Sequence, residues 1–334
     1  MMTSEDNYTY GTAILSAFDY LLENHPEVFV IGQGLWSPWY VGSSMTDLDK
    51  KYGTSRIIDT PVSESACTGA AVGAALAGMR PIVVHPRMDF MLYAMDSIVN
   101  EAAKWRHMTG GQACVPVTVR SIINRGGEQG AQHSQALHSW FAHVPGLRVV
   151  MPATVSDARD LLISSVLSND PVVYIDDRWL YDQTDDLQQV KVTPLAEIEP
   201  QVLSVGKHIT IVGVGYGTKC ALEASVELNA LGVSAEIVDL RILSPLKLGK
   251  VVESVERTGR LVVVDPGWRA CSVSSEIITS IVEEIDLSLL KSPPKRISLP
   301  DCPAPTSKLL EKAYYFGCED VVSIAKGMMN DGTP

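Results

Sequence analysis

A single acid, Glu64, stands between the stretch "DTPVS" (59–63) and a run, residues 65–79, made mostly of Ala, Gly, Ser, Thr and Cys. Ser63 is suited to cap a helix, which puts Glu64 in the first turn, where the helix dipole favours negative charge. Acids are common there, and that role alone can explain this one. The small residues ask for more. Gly69, Ala70, Gly73, Ala74, Ala77 and Gly78 fill little volume, and glycine weakens a helix. What they offer is close approach of another backbone, ring or subunit. A carboxyl group desolvated at the mouth of such a surface favours its neutral form, as a general acid or hydrogen-bond donor requires.

His133 lies in "GGEQGAQHSQALHSWFAHVPG", after three glycines and before an aromatic stretch. A solitary histidine is more often structural than catalytic, and that default covers His85, His107, His138, His143 and His208. His133 is set apart by following a Gly-rich loop at the C-terminal side of an expected strand at 115–123, where open α/β sheets bind ligands. Both readings stay open on position alone. The glycines of "GVGYGT" (213–218) follow a strand and open a helix, so a phosphate could sit on the amides there. Thr218 stands where a dinucleotide fingerprint needs its third glycine, and no Gly-Lys-Ser/Thr pattern follows, so a tight turn is expected instead. Between Met79 and Gly127 the charge reverses locally, with Arg80, Arg87, Lys104, Arg106, Arg120 and Arg125 against Asp89, Asp96 and Glu101. A solvated helix face explains part of this, and an anionic small substrate or diphosphate explains it as well.

Those residues need elements to hold them. Ala13, Ile14, Ala17, Phe18, Leu21 and Leu22 predict a helix packed on one face. Strands are predicted at 28–32, 81–84, 115–123, 147–152 and 171–176, with a helix over 90–107 whose stripe is Met91, Leu92, Met95, Ile98, Val99, Ala102 and Ala103. After a polar, Pro-containing stretch the alternation resumes: strands at 208–215, 234–241, 260–265 and 296–299, helices at 218–230, 246–257, 272–285 and near 306–326. Short β-branched runs alternating with helical patterns mean mostly parallel sheets covered on both faces. The expected fold is therefore α/β with two doubly wound domains, residues 1–185 and 206–334, joined by a linker at 186–205.

The bulk numbers fit that architecture. The 334 residues suffice for two cores, and 46% hydrophobic against 20% charged residues is too apolar for disorder. A net charge of -12 argues against nucleic acid or anionic lipid as partners. The polar start shows no secretory or transit pattern, and no uncharged stretch reaches the ~18 apolar residues of a membrane span. Six scattered cysteines without metal-site spacing read as reduced, mostly buried thiols in a cytoplasmic protein.

Taken in order, "RIIDTPVSESACTGAAVGAALAGMRPIV", "AMDSIVNEAAKWRHMTGG", "GAQHSQALHSWFAHVPGLRVVMPAT", "DPVVYIDDRWLY", "EIVDLRILSPL" and "PTSKLLEKAYYF" resemble the β subunit of the thiamine-diphosphate-dependent 2-oxo acid dehydrogenases, the E1 component, over nearly the whole chain. That family shares its fold with transketolase, so the resemblance implies a pyrimidine-binding domain followed by a transketolase C-terminal-like domain. It also implies roles. The acid at Glu64 hydrogen-bonds the N1′ atom of the cofactor's aminopyrimidine and favours the tautomer that takes the thiazolium proton. Phe90 matches the aromatic residue that stacks on the pyrimidine. His133 matches the histidine facing the reacting carbon.

The Gly-Asp-Gly…Asn pattern that holds diphosphate and Mg²⁺ in this family does not occur here. The resemblance thus implies no metal ligands on this chain and an α subunit that supplies them, in an α2β2 assembly decarboxylating a 2-oxo acid. A lipoyl-bearing E2 component is the implied acceptor. A carboligase of transketolase or acyloin type, without a lipoyl partner, is the alternative enzyme reading, and a non-catalytic nucleotide-binding module is the alternative outside enzymes. One departure touches the pocket: "HPRMDF" (85–90) replaces the family's commoner aromatic and Thr/Asn pattern.

Overall fold

The computed structural model of the chain describes residues 7–330. The chain divides into two compact units, Met1–Asn124 with Trp140–Ile198, and Arg125–Ser139 with Glu199–Pro334. Both are α/β, as the alternating apolar pattern predicts.

In the first unit, strands β1 (Val28–Gln33), β2 (Ile57–Thr60), β3 (Arg80–His85), β4 (Thr118–Ile123), β5 (Arg148–Val150) and β6 (Val172–Asp177) lie in the order β5-β6-β4-β3-β1-β2. Every pair among them is parallel. β4 and β6 are buried throughout, the mark of a sheet covered on both faces. From β1 the chain goes to one side for β2 and to the other for β3, which opens a crevice at their C-terminal ends.

Helix α1 (Tyr10–Asn24) is fixed at its start by a reciprocal cap: Thr9 Oγ1 accepts from Thr12 N at 3.2 Å, and Thr12 Oγ1 accepts from Thr9 N at 2.9 Å. Its predicted apolar stripe is buried. Helix α2 (Glu64–Leu76) begins at Glu64 with Ser63 at the cap position. The Ser63 hydroxyl, however, donates to the Val62 carbonyl at 2.7 Å and leaves the helix uncapped. Cys67, Thr68, Ala71, Val72 and Ala75 form the buried face of α2, whereas Gly69, Ala70 and Gly73 are exposed. The helix expected over 90–107 is a composite of an α-turn (Met88–Met91), a 3₁₀ turn (Leu92–Ala94), a π-helical stretch (Asp96–Ala102) and an α segment (Ala103–Met108). Wide π turns of this kind often accompany functional sites.

A buried ion pair ties β4 to β6. Arg120 Nε and Nη2 donate to the Asp176 carboxylate at 3.1 and 2.9 Å, and Nη2 also donates to Ser44 Oγ at 2.9 Å and Tyr181 OH at 2.8 Å. Both charged side chains are fully buried.

In the second unit, β7 (Gln201–Ser204), β8 (Ile209–Gly213), β9 (Ala235–Asp239), β10 (Leu261–Trp268) and β11 (Lys295–Leu299) run in the order β11-β10-β8-β9-β7. Only β7 is antiparallel, pairing with β9. β7 falls inside the polar stretch read as linker; as an edge strand it needs no apolar run. Ile209, Ile211, Ile237, Val262 and Val264 pack beneath helices α3 (Tyr216–Ala230) and α4 (Cys318–Asn330). The single helix expected near 306–326 is two, Lys308–Tyr314 and α4, because Gly317 interrupts it and donates its N–H to Asp320 Oδ2 at 2.9 Å.

All six cysteines are free, but the expectation that most are buried is corrected: Cys67 and Cys220 are, Cys114 and Cys318 are half-exposed, and Cys271 and Cys302 are exposed. The last two follow the ends of β10 and β11, in loops that no core covers. No described helix is long and apolar enough to cross a membrane.

Candidate active site

The crevice predicted by the strand order is present. Gly32 and Gln33 end β1, Thr60 ends β2, His85 ends β3, and these residues line one cleft with Ser63, Glu64, Cys67, Arg87 and Phe90. Glycine at 32 is required, since a Cβ there would lie 2.4 Å from the Val84 carbonyl oxygen of β3. Beyond β1 the chain is held by Asp59 at the end of β2, whose Oδ1 accepts from Gly34 N at 2.6 Å and Leu35 N at 3.2 Å. The cleft has room of about 20 Å³, near that of one water. This chain by itself therefore offers walls for part of a ligand rather than a closed pocket.

Each wall residue has a local reason for its place. Glu64 is half-buried in the first turn of α2. Phe90 sits half-buried in the Met88–Met91 turn. The Cys67 thiol donates to Thr60 Oγ1 at 3.2 Å, linking α2 to the end of β2. His85 is buried, and burial pushes its imidazole down to about 4, so the ring is neutral at physiological pH. Its Nε2 meets Thr68 Oγ1 of α2 at 3.2 Å. Arg87 follows on the bend after β3, and its buried Nη1 has no hydrogen-bond partner among the described residues.

The residues singled out in the sequence are therefore partly united. Glu64 and Phe90 line one cleft. His133 belongs to the segment Arg125–Ser139 of the second unit, half-buried, with its N–H 3.4 Å from the Gly130 carbonyl oxygen. Two wall residues, His85 and Arg87, escaped sequence reasoning. His85 received the structural default, and Arg87 was one of several cations in a basic run; their shared cleft depends on folding.

Within the second unit a further buried pair escaped notice. His138 Nε2 lies 2.8 Å from Asp265 Oδ1, and both side chains are fully buried. Burial alone would push the Asp265 carboxyl up, but His138 and the N–H groups of Gly267 and Ser274 outweigh it and hold the group below the usual carboxylate range. A separation of 127 residues leaves no local signal for such a pair.

The glycines of "GVGYGT" serve packing. A Cβ on Gly213 would come 2.4 Å from Thr218 Cα, and one on Gly217 would come 2.2 Å from the Val264 carbonyl oxygen. They allow α3 to start against β8 and β10, which is the tight-turn reading.

Residues 6–183 match the family described as "Transketolase, pyrimidine binding domain", and residues 199–321 match "Transketolase, C-terminal domain". The chain is 38% identical to the acetoin:2,6-dichlorophenolindophenol oxidoreductase subunit beta of Cupriavidus necator, over 96% of this chain and 97% of that protein. It is 34% identical to the pyruvate dehydrogenase E1 component subunit beta of Rhizobium meliloti, over 96% of this chain and 69% of that one. A solved structure described as "Split gene transketolase, inactive beta4 tetramer" shares the fold, with a TM-score of 0.76, 21% identity, and coverage of 98% of this chain and 99% of that one.

Proposed function

Because the chain belongs to the β-subunit family of the thiamine-diphosphate-dependent 2-oxo acid dehydrogenases, built from the transketolase pyrimidine-binding and C-terminal domains, we propose that its cleft binds the aminopyrimidine side of thiamine diphosphate. One observation carries this reading: Glu64, in the first turn of a helix of small residues, shares with Phe90 a cleft at the C-terminal ends of parallel strands. The residues fit the group. A half-buried carboxyl can exchange a hydrogen bond and a proton with a ring nitrogen, and an aromatic ring can lie against a flat heterocycle. When bound, thiamine diphosphate supplies the carbon nucleophile and electron sink that decarboxylation of a 2-oxo acid needs.

The chain's own residues then have defined tasks. Glu64 holds a proton at the aminopyrimidine N1′ and fixes which tautomer is present. Phe90 orients the ring by its face. Gly32, pressed against β3, and the small side chains of Ser63 and Cys67 let the ring approach the backbone. His85, kept neutral by burial, adds no charge beside the ring. His133 serves at the reacting carbon.

An α subunit supplies the diphosphate and Mg²⁺ ligands in an α2β2 assembly, and a lipoyl-bearing E2 component accepts the acyl group. The open cleft and the absence of a Gly-Asp-Gly…Asn pattern support the shared site. Acidic composition and free cysteines support a cytoplasmic setting.

The test is Glu64→Gln in the complex reconstituted with its α subunit. Glutamine retains size and a hydrogen bond but cannot exchange the proton, so CO₂ release should fall by about 10²–10⁴-fold, with assembly and folding preserved. Wild-type turnover in that variant defeats the assignment.

A further inference from the structure

Of the cations in the basic run, most are accounted for within the fold. Arg80 Nη1 donates to the Val166 and Ser168 carbonyls at 3.0 and 2.8 Å, and Lys104 donates to the Pro145 carbonyl at 2.6 Å. Arg106 pairs with Asp170 at 2.5 Å, and Arg120 with Asp176. Arg125 is packed over the ring of Tyr216. Arg87 differs. It lines the cleft that holds Glu64, His85 and Phe90, and its buried Nη1 finds no acceptor among the described residues; Arg120 Nη1 also lacks one, but Arg120 is buried against Asp176 and does not line the cleft. Leaving a buried, charged N–H without an acceptor is costly, and at the wall of an open cleft an acceptor arriving from outside relieves that cost. The planar guanidinium matches a carboxylate oxygen for oxygen. Neutral His85 contributes no competing charge, so the cation facing the cleft is Arg87 itself.

We propose that Arg87 reads a second carboxylate on the substrate, so that this enzyme acts on a dicarboxylic 2-oxo acid. The inference rests on the thiamine-diphosphate reading above and adds the substrate class. The carboxylate next to the oxo group is the wrong partner for Arg87. It departs as CO₂ when the C1–C2 bond breaks, and an ion pair strongest in the ground state would hold it back. A distal carboxylate keeps its charge throughout, so its pairing with Arg87 anchors substrate and transition state alike. "HPRMDF" departs from the family's commoner aromatic and Thr/Asn pattern at this place, which fits a residue that reads what is particular to this substrate.

The experiment compares 2-oxoglutarate with 2-oxopentanoate, equal in chain length, in the reconstituted α/β complex carrying thiamine diphosphate and Mg²⁺. The wild type should prefer 2-oxoglutarate, and Arg87→Met should lower the ratio of the two kcat/KM values by about 10- to 100-fold, the worth of one charge-assisted contact. Arg87→Lys should recover part of the ratio. A readout without turnover uses glutarate, which cannot decarboxylate: it should raise the melting temperature of the wild-type complex, not that of Arg87→Met, and pentanoate should raise neither. Equal losses on both substrates, a wild-type preference for 2-oxopentanoate, loss of α-subunit binding in Arg87→Met, or equal glutarate shifts in both proteins would each overturn the proposal. Failure to release CO₂ from any 2-oxo acid instead strikes the assignment of thiamine diphosphate to the cleft, and the glutarate shift then still supports or overturns the role of Arg87 on its own.

Discussion

Replacing His85 by Gln tests whether the cleft floor is electrically neutral for the reason given. Burial depresses the imidazole from its ordinary 6.5 to about 4. Below pH 6.5 the unfolded chain takes up a proton that the folded chain refuses until about pH 4, so acid favours unfolding. The stabilisation is complete above pH 6.5, shrinks as pH falls, and the loss levels off below about pH 4. With about 1.4 kcal/mol per unit, the full loss is about 3 kcal/mol, of which about 2 kcal/mol has gone by pH 5. Glutamine can still meet Thr68 Oγ1 but cannot titrate. Urea midpoints of the two proteins, measured from pH 7.5 to 4.5, isolate the effect, because every other titrating group is common to both and cancels in the difference. His85→Gln should be the less stable protein at pH 7.5 and should gain on the wild type by about 2 kcal/mol between pH 7 and 5. A difference that does not change with pH refutes the argument and leaves His85 as solvated in the folded chain as in the unfolded one.

Two predictions concern the scaffold that carries the cleft. Asp176→Asn removes the charge that meets fully buried Arg120 while Ser44 and Tyr181 remain; the uncompensated guanidinium should cost about 3–5 kcal/mol, read as a melting-temperature drop of about 10 °C. Gly217→Ala forces a Cβ against the Val264 carbonyl oxygen and should destabilise by about 1–3 kcal/mol or more. Gly73→Ala, with nothing within 4 Å of the added carbon, should instead stabilise the isolated chain by up to about 1 kcal/mol; parallel denaturant titrations distinguish the pair, and a common sign would refute the packing argument.

Much of this was legible from periodicity. The buried strands β1, β3, β4, β6, β8 and β10 announce themselves as β-branched runs, and α1 by a stripe that its own core later covers. Strands β2 and β7 did not. "IIDT" is four residues with one fully buried, and "QVLS" is an exposed edge, so neither carries the apolar signal that reading relies on. The π turns at Asp96–Ala102 were hidden because a widened turn keeps nearly the same stripe as an α-helix. Glu64 is singled out by the small residues that follow it and Phe90 by the family resemblance, and both line the cleft. Arg87 was visible only as charge, since what distinguishes it is the acceptor its guanidinium lacks, and such absences appear only when all neighbours are in place. His138 carried no mark of its partnership with Asp265, which chain folding alone creates.

That partnership bears on how the two halves could be exchanged between proteins. The segment Arg125–Ser139 precedes β5 and β6 in the chain yet groups with the downstream half, where His138 meets Asp265 at 2.8 Å. A gene cut at the polar stretch before β8 would strand the histidine upstream and leave a solitary aspartate in a dry interior. A graft of the downstream half keeps the pair on one polypeptide only if residues 125–139 travel with it.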